Sequence, residues 1–311
     1  MDSYEENRAP DISQEEIIDS LFIIFPDIKE QEVKFLYHGT YNVFEVKERY
    51  IFRFPDKVFR NRSGVDLIQK EVKMLYHIRN YVSITIPEPI YISIEPDFPF
   101  VGYERIPGTS LSVNFNQIHN NEKIKIAKEI GKFLSQLHSE ALYREILRKR
   151  IIEKDFTMDK YKREWVEYFK KTQNLIYPLL SEKQQDWITQ LFNKFLNKRD
   201  NFNFIPTVIH GDFDISNVLI NPKTFEITGI IDFEDSRIYD PATDFLFYDE
   251  GEFFLNQILE NYQGKLDPNF KERIQFLYGR NCLPYIEFGL ENDLPDMVNA
   301  GLEKLKSKMK L

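Results

Sequence analysis

The stretch HGDFDISNVLI, residues 210–220, places His210, Asp212, Asp214 and Asn217 within eight positions, directly after the apolar IPTVI and ahead of a strand-like run. A further carboxylate, Asp232, closes the apolar ITGII 20 residues beyond Asp212. The text between reads as a hairpin, NVLI and FEITGIID joined by NPKTFE, which returns the chain to its origin and carries Asp232 toward Asn217. Two carboxylates and an amide oxygen are hard donors of the kind that suit Mg²⁺, which binds one or two carboxylates together with substrate phosphates. With Asn217 and Asp232 as the metal ligands, Asp212 is left to accept a proton from an attacking hydroxyl. A metal that neutralises phosphate charge, beside a carboxylate that orients a nucleophile, is what phosphoryl transfer needs. Asx residues also cap turns and strand ends for local reasons, so the inference rests on the whole pattern, H-x-D-x(4)-N followed by I-D-F.

The elements that must position these groups change character along the chain. Ser13 and Glu16 have capping-box spacing and open a helix through EEIIDSLFIIF. After Pro26 the runs EVKFLYHG, NVFEVK and YIFRFP read as strands, with HGTYN and KER as turns. Val65, Ile68, Val72, Leu75 and Ile78 then recur at helical spacing, and strands return near PIYISI and FVGYERI. Beyond PGTSL (107–111) the text is mostly helical: NNEKIKIAKEIGKFLSQLHSEAL reads as one amphipathic helix, and KDFTMDKYKREWVEYFKKTQNLIYPLL as one or two more. Only the short strands of 204–234 interrupt. A boundary at about 103–107 separates a sheet-rich N-terminal lobe, 1–105, from a helical C-terminal lobe, 106–311.

At 311 residues, 42% of them hydrophobic and with 27 Phe and 17 Tyr, the chain is long enough to bury a large core. A formal net charge of −9 argues against a phosphate-backbone binder, so no nucleic-acid partner is expected. One cysteine, Cys282, excludes an internal disulfide and any cysteine-cluster zinc site. The N-terminal MDSYEENRAPDISQEE has no basic flank and apolar core of a secretory signal, and no segment approaches ~18 uninterrupted apolar residues. The expectation is a cytoplasmic monomer with no membrane contact.

HGDFDISNVLI together with GIIDFEDSRIYDPATDF resembles the paired signature of the aminoglycoside phosphotransferase family, relatives of the protein kinases, with the 2''-phosphotransferase branch nearest. The resemblance runs from YHGTYNVFEVKERYIFRFP to the C-terminal helices and implies an α+β, two-lobed protein-kinase-like fold. It implies that Asp212 is the catalytic aspartate and that Asn217 and Asp232 hold magnesium. It also implies that His210 supports the catalytic loop and that Asp240 and Asp244 brace it.

The same resemblance assigns the nucleotide clamp. The turn HGTYN lies where the family's phosphate-covering loop lies, so the amides from Gly39 onward and the Thr40 hydroxyl are expected to face a phosphate. Glu71 borders the buried helical stripe, among Leu67, Ile68, Val72 and Leu75, and a partly buried carboxylate needs a partner. The kinase pattern supplies one from the third strand, which here is Arg53. The aminoglycoside kinases usually carry lysine there, whereas macrolide kinases of the superfamily place an arginine similarly. Arginine offers a planar fork where lysine offers a point charge. GYERIPG resembles the hinge that binds the base, with Glu104 and Ile106 the expected positions and ATP or GTP the phosphate donor.

Glu287, Glu291, Asp293 and Asp296 form an acidic series near aromatic residues, as in family members that bind cationic aminoglycosides, and YDEGEFF (248–254) adds more carboxylate. The reading is therefore a Mg²⁺-dependent kinase that moves the γ-phosphoryl of ATP or GTP to a hydroxyl of a small cationic acceptor, an aminoglycoside, as a resistance enzyme would. Its rivals are a macrolide kinase, a kinase for a choline-, homoserine- or sugar-like metabolite, and a non-catalytic nucleotide-binding pseudokinase.

Overall fold

The computed structural model describes residues 9–59, 62–152 and 156–310. Residues 1–8, which open the segment read as lacking a secretory signal, and Lys154 and Asp155, which open KDFTMDKY, lie outside the described residues.

Strands β1 (Val33–His38), β2 (Tyr41–Val46) and β3 (Tyr50–Pro55) pair antiparallel in sequence, with Val43 opposite Arg53 and Phe44 opposite Phe52. β4 (Tyr91–Ser93) and β5 (Phe100–Glu104) complete a sheet of order β1-β2-β3-β5-β4. Period-two alternation sorts its faces. Phe44, Val46, Phe52, Phe54 and Phe100 pack with Ile12, Ile17 and Leu21, the last two on α1 (Gln14–Leu21). Tyr41, Val43, Val101 and Tyr103 pack with Ile68 and Val72 of α2 (Arg62–Ile78). Arg53 sits between Phe52 and Phe54, so the pleat turns it toward α2. The Ser13–Glu16 capping box forms, but α1 ends at Leu21, short of Phe25, because Phe22 and Ile23 face solvent and Pro26 follows.

The helical part comprises α3 (Leu111–Asn114), α4 (Asn120–Leu137), α5 (Glu140–Arg148), α6 (Met158–Leu175) and α7 (Glu182–Leu196). It continues in α8 (Glu252–Asn261), α9 (Phe270–Arg280), α10 (Leu283–Glu291) and α11 (Pro295–Lys308). The helix read as continuous through SEAL is two helices. His138 interrupts it, buried with Nδ1 at 3.0 Å from the Tyr262 hydroxyl and Nε2 at 3.0 Å from Asp244 Oδ2, and Ser139 Oγ caps α5 by accepting from Leu142 N. Between α7 and α8 lie β7 (Thr207–Ile209), β8 (Val218–Ile220), β9 (Ile227–Ile230) and β10 (Arg237–Tyr239). β8 pairs with β9 as the hairpin expected, and β6 (Thr109–Ser110) extends it at the β8 edge. β7 pairs instead with β10. No described helix is long and apolar enough to cross a membrane.

Candidate active site

The loop between β7 and β8 exposes Asp212 and buries what holds it. Gly211 takes φ +97, and a Cβ there would lie 2.5 Å from the Asp235 carbonyl oxygen, so only glycine lets the two loops approach. The buried carboxylate of Asp244 accepts from the amides of His210 at 2.7 Å and Gly211 at 2.9 Å as well as facing His138. Burial pushes the Asp244 carboxyl up, but His138 and the Gly211 amide outweigh it and hold the group below the usual aspartate value. The ring of His210 lies with Nε2 at 2.9 Å from the Ile231 carbonyl oxygen, which ties this loop to the end of β9. Asp240 is one step further back: its carboxylate accepts from Tyr161 OH at 2.9 Å, Arg273 Nε at 2.8 Å and Ala242 N at 3.0 Å.

Asn217 donates its side-chain amide to the Asp212 carbonyl at 2.9 Å, which leaves its amide oxygen as the free donor atom. The pairing of Val218 with Ile230 continues outward, Ile231 N donating to the Asn217 carbonyl at 3.0 Å, so Asp232 emerges one residue from Asn217's partner. Asp232 has φ +70, a left-handed conformation that aspartate tolerates better than most residues but at a cost of about 1–3 kcal/mol. The turn directs its carboxylate to the sheet, where Arg53 Nη2 donates to Oδ1 at 2.8 Å.

Arg53 is 3% exposed and its Nη1 donates to Glu71 Oε1 at 2.5 Å, while its guanidinium stacks 4.1 Å from the Tyr41 ring centroid. Its Nη2 also donates to Glu234 Oε2. Glu234 carried no signal in the sequence; its role comes from a partner 181 positions away. Burial, with the neighbouring Asp232 and Glu71 carboxylates and against Arg53, pushes the Glu234 carboxyl up to about 8. Burial likewise raises Glu71 against the pull of Arg53. One guanidinium thus faces three carboxylates, and Lys70 Nζ donates to the Glu234 carbonyl at 3.1 Å. A donor set of oxygens short of positive charge fits a divalent hard cation.

The other residues read from sequence are more dispersed. Gly39 and Thr40 form the β1–β2 turn, fastened to the strand end by Asp56 N donating to the Thr40 carbonyl at 2.8 Å. Glu104 is exposed and pairs with Arg49 at 2.5 Å, and Ile106 is buried. Glu287 and Glu291 share Lys171 of α6, the latter at 2.7 Å, and Asp293 lies past the end of α10 at φ +54. Nearer the 210–217 loop, burial together with Asp249 and Asp214 pushes the Glu250 carboxyl up to about 7.

The phosphotransferase enzyme family matches residues 32–280. The chain belongs to that family. The GDP complex of wild-type aminoglycoside 2'-phosphotransferase-IIIa is 26% identical, with TM-score 0.83 over 96% of this chain and 98% of that one. The GDP and kanamycin complex of APH(2")-IIIa is also 26% identical, with TM-score 0.82 over 94% and 98%. Macrolide 2'-phosphotransferase MphH from Brachybacterium faecium, at 15% identity and TM-score 0.71 over 93% and 97%, shares the fold. YcbJ of Bacillus subtilis is 27% identical over 104 residues, so the match spans about a third of that protein (34%) and 32% of this chain. This member of the family is accordingly a phosphotransferase with an α+β, kinase-like fold, its sheet N-terminal and its helices C-terminal.

Proposed function

We propose that the protein transfers the γ-phosphoryl group of ATP or GTP to a hydroxyl of an aminoglycoside, with a division near 103–107 between a nucleotide-clamping N-terminal lobe and an acceptor-binding C-terminal lobe. The observation that carries the reading is the shared guanidinium of Arg53, which joins Glu71 of α2 to Asp232 beyond β9. Arg53 and Glu71 steady the α- and β-phosphates, the amides of the Gly39–Thr40 turn cover them, and backbone groups at Glu104 and Ile106 hold the base. Asn217 and Asp232 hold Mg²⁺, with Glu234 beside them. A divalent cation held there would supply charge neutralisation for the transferred phosphate. Asp212, exposed at the loop tip and positioned through the Gly211 amide, orients the acceptor hydroxyl and takes its proton.

A cationic acceptor is supported by the carboxylates of Asp214, Asp249 and Glu250 close to that loop; Glu287, Glu291 and Asp293 are assigned to the same acceptor side, where Lys171 already pairs with the two glutamates. The likeness to the kanamycin complex of APH(2")-IIIa supports the same class. The test is steady-state nucleotide turnover with Mg²⁺, using ATP and GTP in turn, against aminoglycosides, macrolides and amino-alcohol metabolites. Stimulation by kanamycin-like acceptors is expected. Turnover only with macrolides or metabolites would move the acceptor assignment, and nucleotide binding without turnover on any acceptor would leave a pseudokinase.

A further inference from the structure

At the end of β7 remote from His210, about 10 Å along the strand, the chain encloses a second cavity of about 900 Å³. That size is within the range of small-molecule sites. Its chemistry departs from the chain as a whole: the protein carries a net charge of −9, yet Lys132, Arg144 and Lys265 line this cavity against the single carboxylate of Glu140. Arg144 and Glu140 pair with each other at 2.5 Å, which leaves Lys132 and Lys265 without an ion-pair partner among the described residues. Thr207, 8% exposed, closes the inner end of the cavity. The rings of Tyr143 and Tyr262 form flat walls.

The wall is wired to the 210–217 loop. The Tyr262 hydroxyl meets His138 Nδ1, His138 Nε2 meets Asp244 Oδ2, and Asp244 accepts from the amides of His210 and Gly211. A ligand that orders Tyr262 and His138 therefore acts on the carboxylate that sets the backbone beside Asp212.

We propose that this cavity is a binding site for a small anion carried on a flat ring, an aromatic carboxylate, sulfonate or phosphate, and that its occupancy is felt at the 210–217 loop through His138 and Asp244. The site is separate from the phosphoryl-transfer cleft and does not depend on what that cleft transfers. The probe is 1-anilinonaphthalene-8-sulfonate, followed by its fluorescence on the full chain with and without saturating nucleotide. Binding that nucleotide does not displace is expected, weakened about tenfold by Lys132→Glu combined with Lys265→Glu. Both lysines are on the surface, so the double variant keeps the fold. Hydrogen exchange at the His210 and Gly211 amides is expected to slow when the probe is bound. No binding, displacement by nucleotide, or unchanged affinity in the lysine variant would overturn the site. Probe binding that leaves exchange at 210 and 211 unaltered would overturn the link to the loop.

Discussion

Arg53 Nη2 donates to Asp232 Oδ1 at 2.8 Å although 179 positions separate the two residues. The contact joins the third strand of the N-terminal sheet to the turn after β9, and it is open to Arg53 because strand alternation puts that residue on the α2 face rather than among the phenylalanines of its own strand. The same guanidinium reaches Glu71 and Glu234, so one buried cation organises three carboxylates, one on α2 and two on the segment after β9. Its planar fork can serve several acceptors at fixed angles, which a lysine ammonium at the same depth does less well.

Replacing Arg53 separates charge from geometry. Arg53→Lys is expected to fold and to retain part of its turnover, with nucleotide KM raised because one ammonium cannot span Glu71 and Asp232 together. Arg53→Met leaves Glu71, 1% exposed, without its partner and should cost about 3–5 kcal/mol. Urea unfolding alongside nucleotide kinetics checks both. A lysine variant without any nucleotide binding would mean the fork itself is required.

Asp212→Asn keeps the shape of the exposed loop tip and removes the proton acceptor. We expect kcat to fall about 10²–10⁴-fold while nucleotide affinity by calorimetry changes little. Unchanged turnover would remove Asp212 from the chemistry.

The turn at Gly39 offers a test of the phosphate-covering role. A Cβ there would make only ordinary contact, 3.5 Å from Tyr37 Cε2, so the fold does not demand glycine. Close approach of a phosphate would. Gly39→Val is expected to leave the melting temperature within about 2 °C, as surface changes usually do, while raising the nucleotide KM severalfold. An unaltered KM would place the phosphates elsewhere.

Much of this arrangement is readable from the chain because it is periodic. Alternation exposes β1, β2 and β3, the 3.6 period exposes α2, and Ser13 with Glu16 marks the start of α1. What stays hidden depends on distant partners. β6 and β10 are two and three residues long and exist through pairing with Ile220 and Ile209. The apolar stripe of α4 runs on past Leu137 and masks the one local signal of the break, the N-cap Ser139; His138 is held there by residues 106 and 124 positions away. Glu234 is hidden for the same reason, being one more acid in IDFED until Arg53 folds against it. That Asp212, Asn217 and Asp232 meet in one corner of the fold was legible because short segments and one hairpin carry them all.

Asp244 should act through backbone placement rather than through substrate. Asp244→Asn puts an amide where His210 N, Gly211 N and His138 all seek an acceptor, at a cost of about 2–3 kcal/mol. The distinguishing readout is kinetic: kcat is expected to fall while nucleotide KM holds. Circular dichroism at the assay temperature confirms that the variant is folded. A rise in KM with kcat unchanged would argue against positioning of the 210–217 loop.

Lys308 gives the protein a pH dependence away from the active site. It is buried on α11 with Nζ 3.2 Å from the Tyr278 ring centroid, and burial outweighs the pull of Asp249 to bring its ammonium down to about 8. The folded state therefore holds fewer protons than the unfolded chain between that value and the ordinary lysine value of about 10.4. Stability contributed by this group is complete above the higher value and is lost as pH falls through the lower one. At pH 7 the charged, poorly solvated ammonium costs roughly 2–3 kcal/mol. Lys308→Met, which keeps the length and the ring contact, should raise stability at pH 7 by a comparable amount and flatten the rise between pH 8 and about 10. Chemical denaturation at pH 7 and pH 9.5 measures both, and a variant no more stable than the parent at pH 7 would show that the ammonium is solvated in the native state.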